Sequence, residues 1–332
     1  MMKSGWTHTL IDDAAKTPQT QTFHALGTSI VLTVYGTTSA DILTASQQLV
    51  DQYEDQLTVN RVDSEVMAIN HAAGETAIQV SDSTFSLVKL ALTASLEDSG
   101  FNAAIGPLVK QWQIGFAGAH VPSKESIQAA MTLIDPHKIV LDEEQHSVLL
   151  QEAGMELDLG AIAKGYIADR IRDLWRAHGV ISGIINLGGN LLFVGDAPAR
   201  VDKMWRIGVQ DPWAQRGAPL ATVILPECSA VTSGIYERHL DVDGQAYHHI
   251  IDSRTGYPFE TRLESVTIFS RHSVIGEIES TRLFFDQAAD EQWLVAHPDC
   301  YGAVFVSQDH KLTSVGFKQQ VDGSLILASN EV

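Results

Sequence analysis

Hydrophobic and polar positions set the first divisions of the chain. Residues 1–21 show no sustained period and include an early Asp12-Asp13 pair, so they are expected to form a flexible leader. "SIVLTVYG" (29–36) then alternates, with Ile30, Leu32 and Val34 on one face, which predicts a half-buried strand. From Thr38 the period lengthens. Thr38 and Asp41 have capping-box spacing, and Ile42, Leu49, Tyr53 and Leu57 recur at helical intervals. A second helix is predicted from about Asp82 to Ser99, with Gly100 as its stop. A third runs from near Ala163 to His178, burying Ile167, Ile171, Leu174 and Trp175 and ending at Gly179. A fourth covers about Val274 to Ala288.

Short apolar runs predict strands at "HKIVL", "HSVLL", "GIINLG", "RIGVQD", "ATVILPE", "ESVTIFS", "GAVFVSQ" and "GSLILAS". "AYHHIIDSRTGYP" reads as part of the same succession of strands and loops. The alternation of strands and helices is too irregular for regular βαβ winding. An α+β fold with substantial antiparallel sheet is therefore expected. No low-complexity linker or short-period repeat divides the chain. Residues 22–332 are expected to form one domain, with room for two closely packed lobes.

Composition narrows the partners. With 22 basic and 41 acidic residues the formal net charge is -19, which disfavours nucleic acid and anionic membranes unless charge is locally reversed. Two cysteines, Cys228 and Cys300, suit neither a disulfide scaffold nor a thiolate metal cluster. No apolar run is long enough to span a bilayer. The start lacks a signal-peptide core, which points to the cytoplasm for the sequence as it stands. Prior removal of a signal peptide would instead place the protein in the periplasm or on a membrane anchor.

Four polar clusters carry candidate chemistry. In "LDLGAIAKG" (157–165), Lys164 sits near a helix start, where a cation is unfavourable unless an anion or a carboxylate such as Asp158 shares the site. A structural lysine and an anion-binding one both fit. "IINLGGNLL" (184–192) drives an apolar strand into Gly188-Gly189, either a phosphate-facing turn or a plain tight one. In "HHIIDSRTGYP" (248–258), His248 and His249 point to opposite faces if extended, so at most one faces a shared site. Asp252 can orient an imidazole or accept a proton, and Arg254 can pair with phosphate or with Asp252. A satisfied surface hairpin is the plainer alternative. In "GEIESTRLFF" (276–285), Glu277 and Thr281 share a helix face and offer hard oxygen donors suited to Mg²⁺. As a lone pair they are weak evidence.

Taken in order, "ALGTSIVL", "DSEVMAIN", "FNAAIGPLVKQW", "LDLGAIAKGYIAD", "INLGGNLLFVG", "VTSGIYER", "HHIIDSRTGYP" and "GEIEST" resemble the FAD:protein FMN transferase family, also called ApbE, over roughly residues 23–290. The resemblance implies a T-fold-like α+β architecture and a Mg²⁺-dependent reaction. In that reaction FAD is split, FMN is attached to a Thr or Ser hydroxyl of a target flavoprotein, and AMP leaves.

Position by position, the resemblance implies that Asp158 and Lys164 contact FAD and that Ala161 binds Mg²⁺ through its backbone carbonyl. Thr281 and Glu277 match the remaining metal ligands. Gly106 lies in the flavin-contacting loop with Asn102, Ala103, Ala104 and Ile105, and Leu26, Asn60 and Ile250 match further FAD-contacting positions. His249 and Asp252 match the histidine and aspartate of the reaction centre, with His249 the first choice of base, Asp252 the second, and Lys164 supplying electrostatic stabilisation.

This chain departs from the pattern at several points. Leu26 stands for a methionine, Asn60 for an aromatic, Asn102 and Ala104 for an acid and a hydroxyl, Ser253 for a proline, and Glu277 for an aspartate. These changes leave two alternatives beside transfer: a flavin-binding or assembly protein without catalysis, and an enzyme that hydrolyses FAD to FMN and AMP.

Overall fold

The computed structural model describes residues 17–36 and 41–328. Residues 1–16 of the expected leader and Thr38 of the expected capping box lie outside them. In chain order the first strands are β1 (Pro18–Ala25), β2 (Thr28–Tyr35), β3 (Ile78–Gln79), β4 (Ile139–Asp142), β5 (Ser147–Leu150), β6 (Ser182–Leu187) and β7 (Asn190–Gly195). There follow β8 (Trp205–Gln210), β9 (Pro219–Leu225), β10 (Cys228–Gly234), β11 (His239–Val242), β12 (Gln245–His248) and β13 (Leu263–Ser270). The last are β14 (Cys300–Ser307), β15 (Leu312–Val315), β16 (Phe317–Gln319) and β17 (Leu325–Leu327). The helices are α1 (Asp41–Leu57), α2 (Glu65–His71), α3 (Asp82–Ser95), α4 (Gly106–Trp112), α5 (Lys124–Met131), α6 (Ala163–Ala177), α7 (Ser273–Asp286) and α8 (Glu291–Ala296).

An eight-stranded sheet, ordered β1-β2-β6-β7-β10-β13-β14-β15, forms the frame, and every neighbouring pair in it is antiparallel. The expected α+β class with dominant antiparallel sheet is what the chain adopts. β1 begins at Pro18 and pairs along its whole length with β2, so residues 18–21 belong to the sheet and not to a leader. The alternation of Thr22, Phe23 and His24 was too weak to mark that strand.

Both faces of the sheet are covered. On one, Ile30, Leu32, Val34, Ile185 and Leu187 pack against α1, α3 and α6 in the largest apolar cluster. On the other, Phe193, Phe269, Val304 and Val306 meet a second sheet ordered β16-β17-β9-β8 through Trp205, Ile207, Val223 and Leu225. That double cover explains why β13 is buried almost throughout and reads as a continuous apolar run. α3 ends at Ser95, short of the expected Ser99, because Asp98 (φ 52°) and Gly100 (φ +87°) already take left-handed conformations.

The packing of α6 on α7 positions the chemistry. α6 buries Ile167, Ile171 and Trp175, whose indole Nε1 donates to Ser46 Oγ at 2.8 Å. Its other edge supplies Asp169, whose carboxylate accepts the Ser273 and Val274 N–H groups, each at 3.0 Å, at the start of α7. α7 returns the contact. Its Glu277 carboxylate accepts the Gly165 N–H in the first turn of α6. Each helix start thus receives a carboxylate from the other helix, satisfying N–H groups that have no partner within their own helix. Gly165 is required for this approach: a Cβ there would lie 2.6 Å from Glu277 Cγ and 2.6 Å from the Ser273 carbonyl oxygen.

Candidate active site

The site lies at the sheet end that carries the turns between β1 and β2 and between β6 and β7. Leu26 (φ 54°) and Gly27 (φ 67°) make the first turn, and Gly188 (φ 68°) and Gly189 (φ 103°) the second. The two turns touch, since a side chain on Gly188 would overlap Thr28. The amide of Gly189 donates to Asn186 Oδ1 at 3.0 Å, so the plain hairpin turn prevails over a phosphate-facing one at that amide. What the turn presents is Asn190. Its Nδ2 donates to Glu277 Oε1 at 2.8 Å and its Oδ1 accepts the Ser273 hydroxyl at 2.9 Å.

Glu277 is buried, and desolvation raises its pKa, an effect countered by Lys164, the Asn190 amide and the Gly165 N–H. Lys164 is half-buried at the second residue of α6 and makes no ion pair with the described residues. The carboxylate that balances it is Glu277. Asp158, the other candidate, accepts the Gly160 N–H at 2.7 Å, and burial raises its pKa.

His249 also feels the charge of Lys164. Its Nδ1 lies 3.2 Å from the Arg238 carbonyl oxygen, an acceptor only, so Nδ1 carries the proton and Nε2 keeps its lone pair. Desolvation, followed by the charges of Arg238 and Lys164, pushes its pKa down to about 4. His248 turns the opposite way, as extended geometry predicts: its Nε2 donates to Phe259 O at 2.8 Å and its ring packs edge-on to Phe284. Only one of the two histidines faces the site.

Asp252 is not free to act as a base. Arg254 grips both carboxylate oxygens, Nε at 2.9 Å and Nη2 at 3.0 Å, and its backbone N–H adds a third bond at 2.9 Å. Arg254 is likewise committed to Asp252 and not to a phosphate. The turn they brace ends at Gly256 (φ +75°), whose carbonyl accepts the Trp112 Nε1 at 2.8 Å.

The remaining expected residues separate into two groups. The Asn102–Gly106 loop packs on the 155–158 strip: Asp158 N donates to Ala103 O at 2.9 Å, and a Cβ on Gly106 would meet Glu156 at 2.7 Å. Asn102 itself is a brace, donating to Ile134 O at 2.9 Å and accepting the Ala104 N–H at 2.8 Å. Ala103 and Ala104 are wholly buried in the main core and offer no surface to a ligand, contrary to their expected role as flavin contacts. Leu26 and Ile250 are partly buried against apolar clusters, and Asn60 is exposed in a bend after α1. No described contact joins Asn60 to Lys164, His249 or Glu277.

The donor set fits a hard divalent ion. Among the described residues no N–H donates to the Ala161 carbonyl, because Gly165, four residues on, turns its N–H to Glu277. Thr281 donates to the Glu277 carbonyl at 3.1 Å and keeps its oxygen lone pairs. One carboxylate, one hydroxyl and one open backbone carbonyl suit Mg²⁺, which binds through few carboxylates and completes its shell with water or substrate phosphate. No cluster of three or more His, Cys, Asp or Glu able to hold a metal occurs among the described residues. Sequence reasoning missed Asn190, Ser273 and Asp169. The asparagine that closes the Gly-Gly turn was the one available signal.

These features define an α+β protein with a lysine, a neutral histidine and an oxygen-donor set built around a buried glutamate at one end of its sheet. A sequence model of the ApbE family matches residues 26–305. An FAD:protein FMN transferase of Klebsiella pneumoniae (strain 342) is 48% identical over 262 residues, 78% of this chain and 79% of that protein. Its counterpart in Treponema pallidum (strain Nichols) is 39% identical over 250 residues, 71% and 68% of the two chains. The crystal structure of the ApbE protein of Thermotoga maritima superposes with a TM-score of 0.81 at 27% identity, covering 90% of this chain and 97% of that one. The chain belongs to the ApbE family, and it is an enzyme.

Proposed function

We propose that this protein is an FAD:protein FMN transferase that joins the FMN half of FAD to a Ser or Thr hydroxyl of an acceptor flavoprotein and releases AMP. The observation that carries the reading is His249: a neutral imidazole whose proton is pinned on Nδ1, leaving Nε2 basic beside Lys164. In the reaction the acceptor oxygen forms a bond to the FMN phosphorus, and the P–O bond to the bridging oxygen breaks. That oxygen departs with AMP, while the hydroxyl proton passes to His249 Nε2. Lys164 offsets negative charge on the phosphoryl oxygens. Ala161, Glu277 and Thr281 would hold Mg²⁺, which when bound supplies Lewis-acid polarisation of the diphosphate. Asp158 and the Asn102–Gly106 loop, with Ala103 and Ala104 excluded, border the flavin-bearing end, together with Leu26 and Ile250.

The test is incubation of the purified chain with FAD, Mg²⁺ and an acceptor domain bearing a Ser/Thr flavinylation sequence, followed by mass spectrometry of the acceptor and chromatography of nucleotides. Transfer gives an FMN adduct with one AMP per adduct. AMP and free FMN without adduct would make the chain a hydrolase. Intact FAD, bound but unchanged across metals and acceptors, would make it a flavin-binding protein.

A further inference from the structure

The motif "VTSGIYER" ends on Arg238, to which the reaction above gives no side-chain role. Its position is set by the β11–β12 ladder. His239 pairs with His248, so the next step out of the ladder places Arg238 directly opposite His249. Two contacts confirm the step: the His249 N–H and Nδ1 both lie against the Arg238 carbonyl, at 3.3 and 3.2 Å. Residues directly opposite in an antiparallel pair project to the same side, within about 5.5 Å of each other at Cβ. Arg238 and His249 therefore face the same space.

The stem of Arg238 is seated and its head is free. A Cβ on Gly115 (φ +91°) would lie 3.2 Å from Arg238 Cδ, so the aliphatic stem runs across the bare backbone of the loop after α4. The guanidinium is exposed and pairs with no carboxylate of the described residues, in a chain whose net charge is -19. The charges of Arg238 and Lys164 both act on His249. Two cations thus act on one neutral imidazole, and an extended anion such as a diphosphate offers charge to both.

Resting on the transferase reading, we infer that Arg238 is a phosphate-binding residue, its guanidinium holding the diphosphate of FAD beside His249. A planar guanidinium can take two phosphate oxygens at once, which fixes the orientation of the bond to be broken as well as binding it.

The experiment compares FAD and riboflavin binding, by flavin fluorescence in the presence of Mg²⁺, for the full-length protein and for Arg238→Ala and Arg238→Lys. Both substitutions keep the backbone carbonyl that His249 uses. Arg238→Ala is expected to weaken FAD roughly 10- to 100-fold and leave riboflavin, which lacks phosphate, unchanged. Arg238→Lys is expected to recover part of the loss. FAD affinity within twofold of the parent, with the far-UV spectrum intact, would overturn the inference. So would unchanged FAD affinity with a raised KM for the acceptor, which would assign Arg238 to the acceptor protein instead. If the unmodified protein binds no FAD, the transferase reading itself fails, and the two failures are told apart.

Discussion

Asn190 holds Glu277 by one oxygen: its Nδ2 lies 2.8 Å from Glu277 Oε1, while its own Oδ1 is held by Ser273 at 2.9 Å. The Gly165 N–H adds a further bond to the carboxylate, and Asn190 leaves the second oxygen to a ligand. A buried carboxylate oriented in this way needs no rearrangement before it binds a cation. Asn190→Ala should therefore weaken Mg²⁺ binding roughly 10- to 100-fold, the usual effect of removing a hydrogen bond behind a metal ligand. Titration with Mn²⁺ followed by electron paramagnetic resonance reads this directly. An unchanged dissociation constant would show that Asn190 only closes its turn.

Glu277 separates charge from shape. Glu277→Gln keeps the oxygen that Asn190 binds and the bulk that fills the α6–α7 contact. It removes the charge that a divalent ion requires. Activity is expected to fall by about 10²-fold or more, in the range seen when one preorganised electrostatic contact is lost. Thermal stability is expected to hold or fall by about 1–3 kcal/mol, because one of the two acceptor oxygens becomes a donor and Lys164 loses its counter-charge. A variant that keeps full Mg²⁺-dependent activity would rule out Glu277 as a ligand.

Gly165 sets how closely α6 approaches α7. A methyl group at this position meets Glu277 Cγ and the Ser273 carbonyl, each at 2.6 Å, and one of these is backbone. Gly165→Ala is expected to cost about 1–3 kcal/mol of stability, as overpacking does. It should also lower Mg²⁺ affinity, because Glu277 is one of the two groups displaced. Denaturant unfolding and metal titration on the same sample check both effects. Loss of stability with metal affinity intact would mean that the helices part without moving the carboxylate.

The parts of this architecture legible in the sequence were those with sustained period. Ile30, Leu32 and Val34 marked β2, and Ile167, Ile171 and Trp175 marked the buried side of α6. β1 was not legible, because its alternately exposed and half-buried positions at the sheet edge are filled mostly by polar residues such as Gln19, Thr20, Gln21 and Thr22. Lys164 could be singled out from its unfavourable place near a helix start. Its balancing carboxylate could not, because Glu277 lies more than a hundred residues on and is brought in by helix packing. The pairing of Arg238 with His249 was hidden for the same reason, since register across a hairpin is fixed by hydrogen bonds rather than by composition. The choice between Asp252 and His249 as base was also closed to sequence reading. The observation that favours His249, Arg254 taking both Asp252 oxygens, is a matter of side-chain geometry.

That pairing gives Asp252 a positioning role. Asp252→Asn breaks the two-pronged bond to Arg254 and loosens the turn that carries His249 toward the site. A loss of about 1–3 kcal/mol is expected from disturbing a carboxylate bonded to a guanidinium. Transfer should slow while the acid limb of the pH–rate profile stays where it was. Disappearance of that limb in Asp252→Asn would instead make Asp252 the titrating base.

On the proposed mechanism the limb itself belongs to His249. Its folded pKa is pushed down to about 4, first by burial and then by the charges of Arg238 and Lys164. In the free enzyme the base is thus ready at neutral pH, and kcat/KM for FAD should hold as pH falls through 6 and drop only near 4. Binding the anionic diphosphate adds negative charge beside the ring, so the limb of kcat should lie at higher pH than that of kcat/KM. Stability follows the opposite side of the same linkage. Between about pH 4 and the ordinary histidine value near 6.5 the unfolded chain binds a proton that the folded chain refuses. His249 therefore destabilises the fold progressively as pH falls through that window, and its effect levels off below it. Titration of ¹⁵N-labelled His249 by NMR, with unfolding measured at the same pH values, checks both arms. A midpoint near 6.5 would show that burial and the two cations do not act on this ring, and the case for a poised neutral base would fall with it.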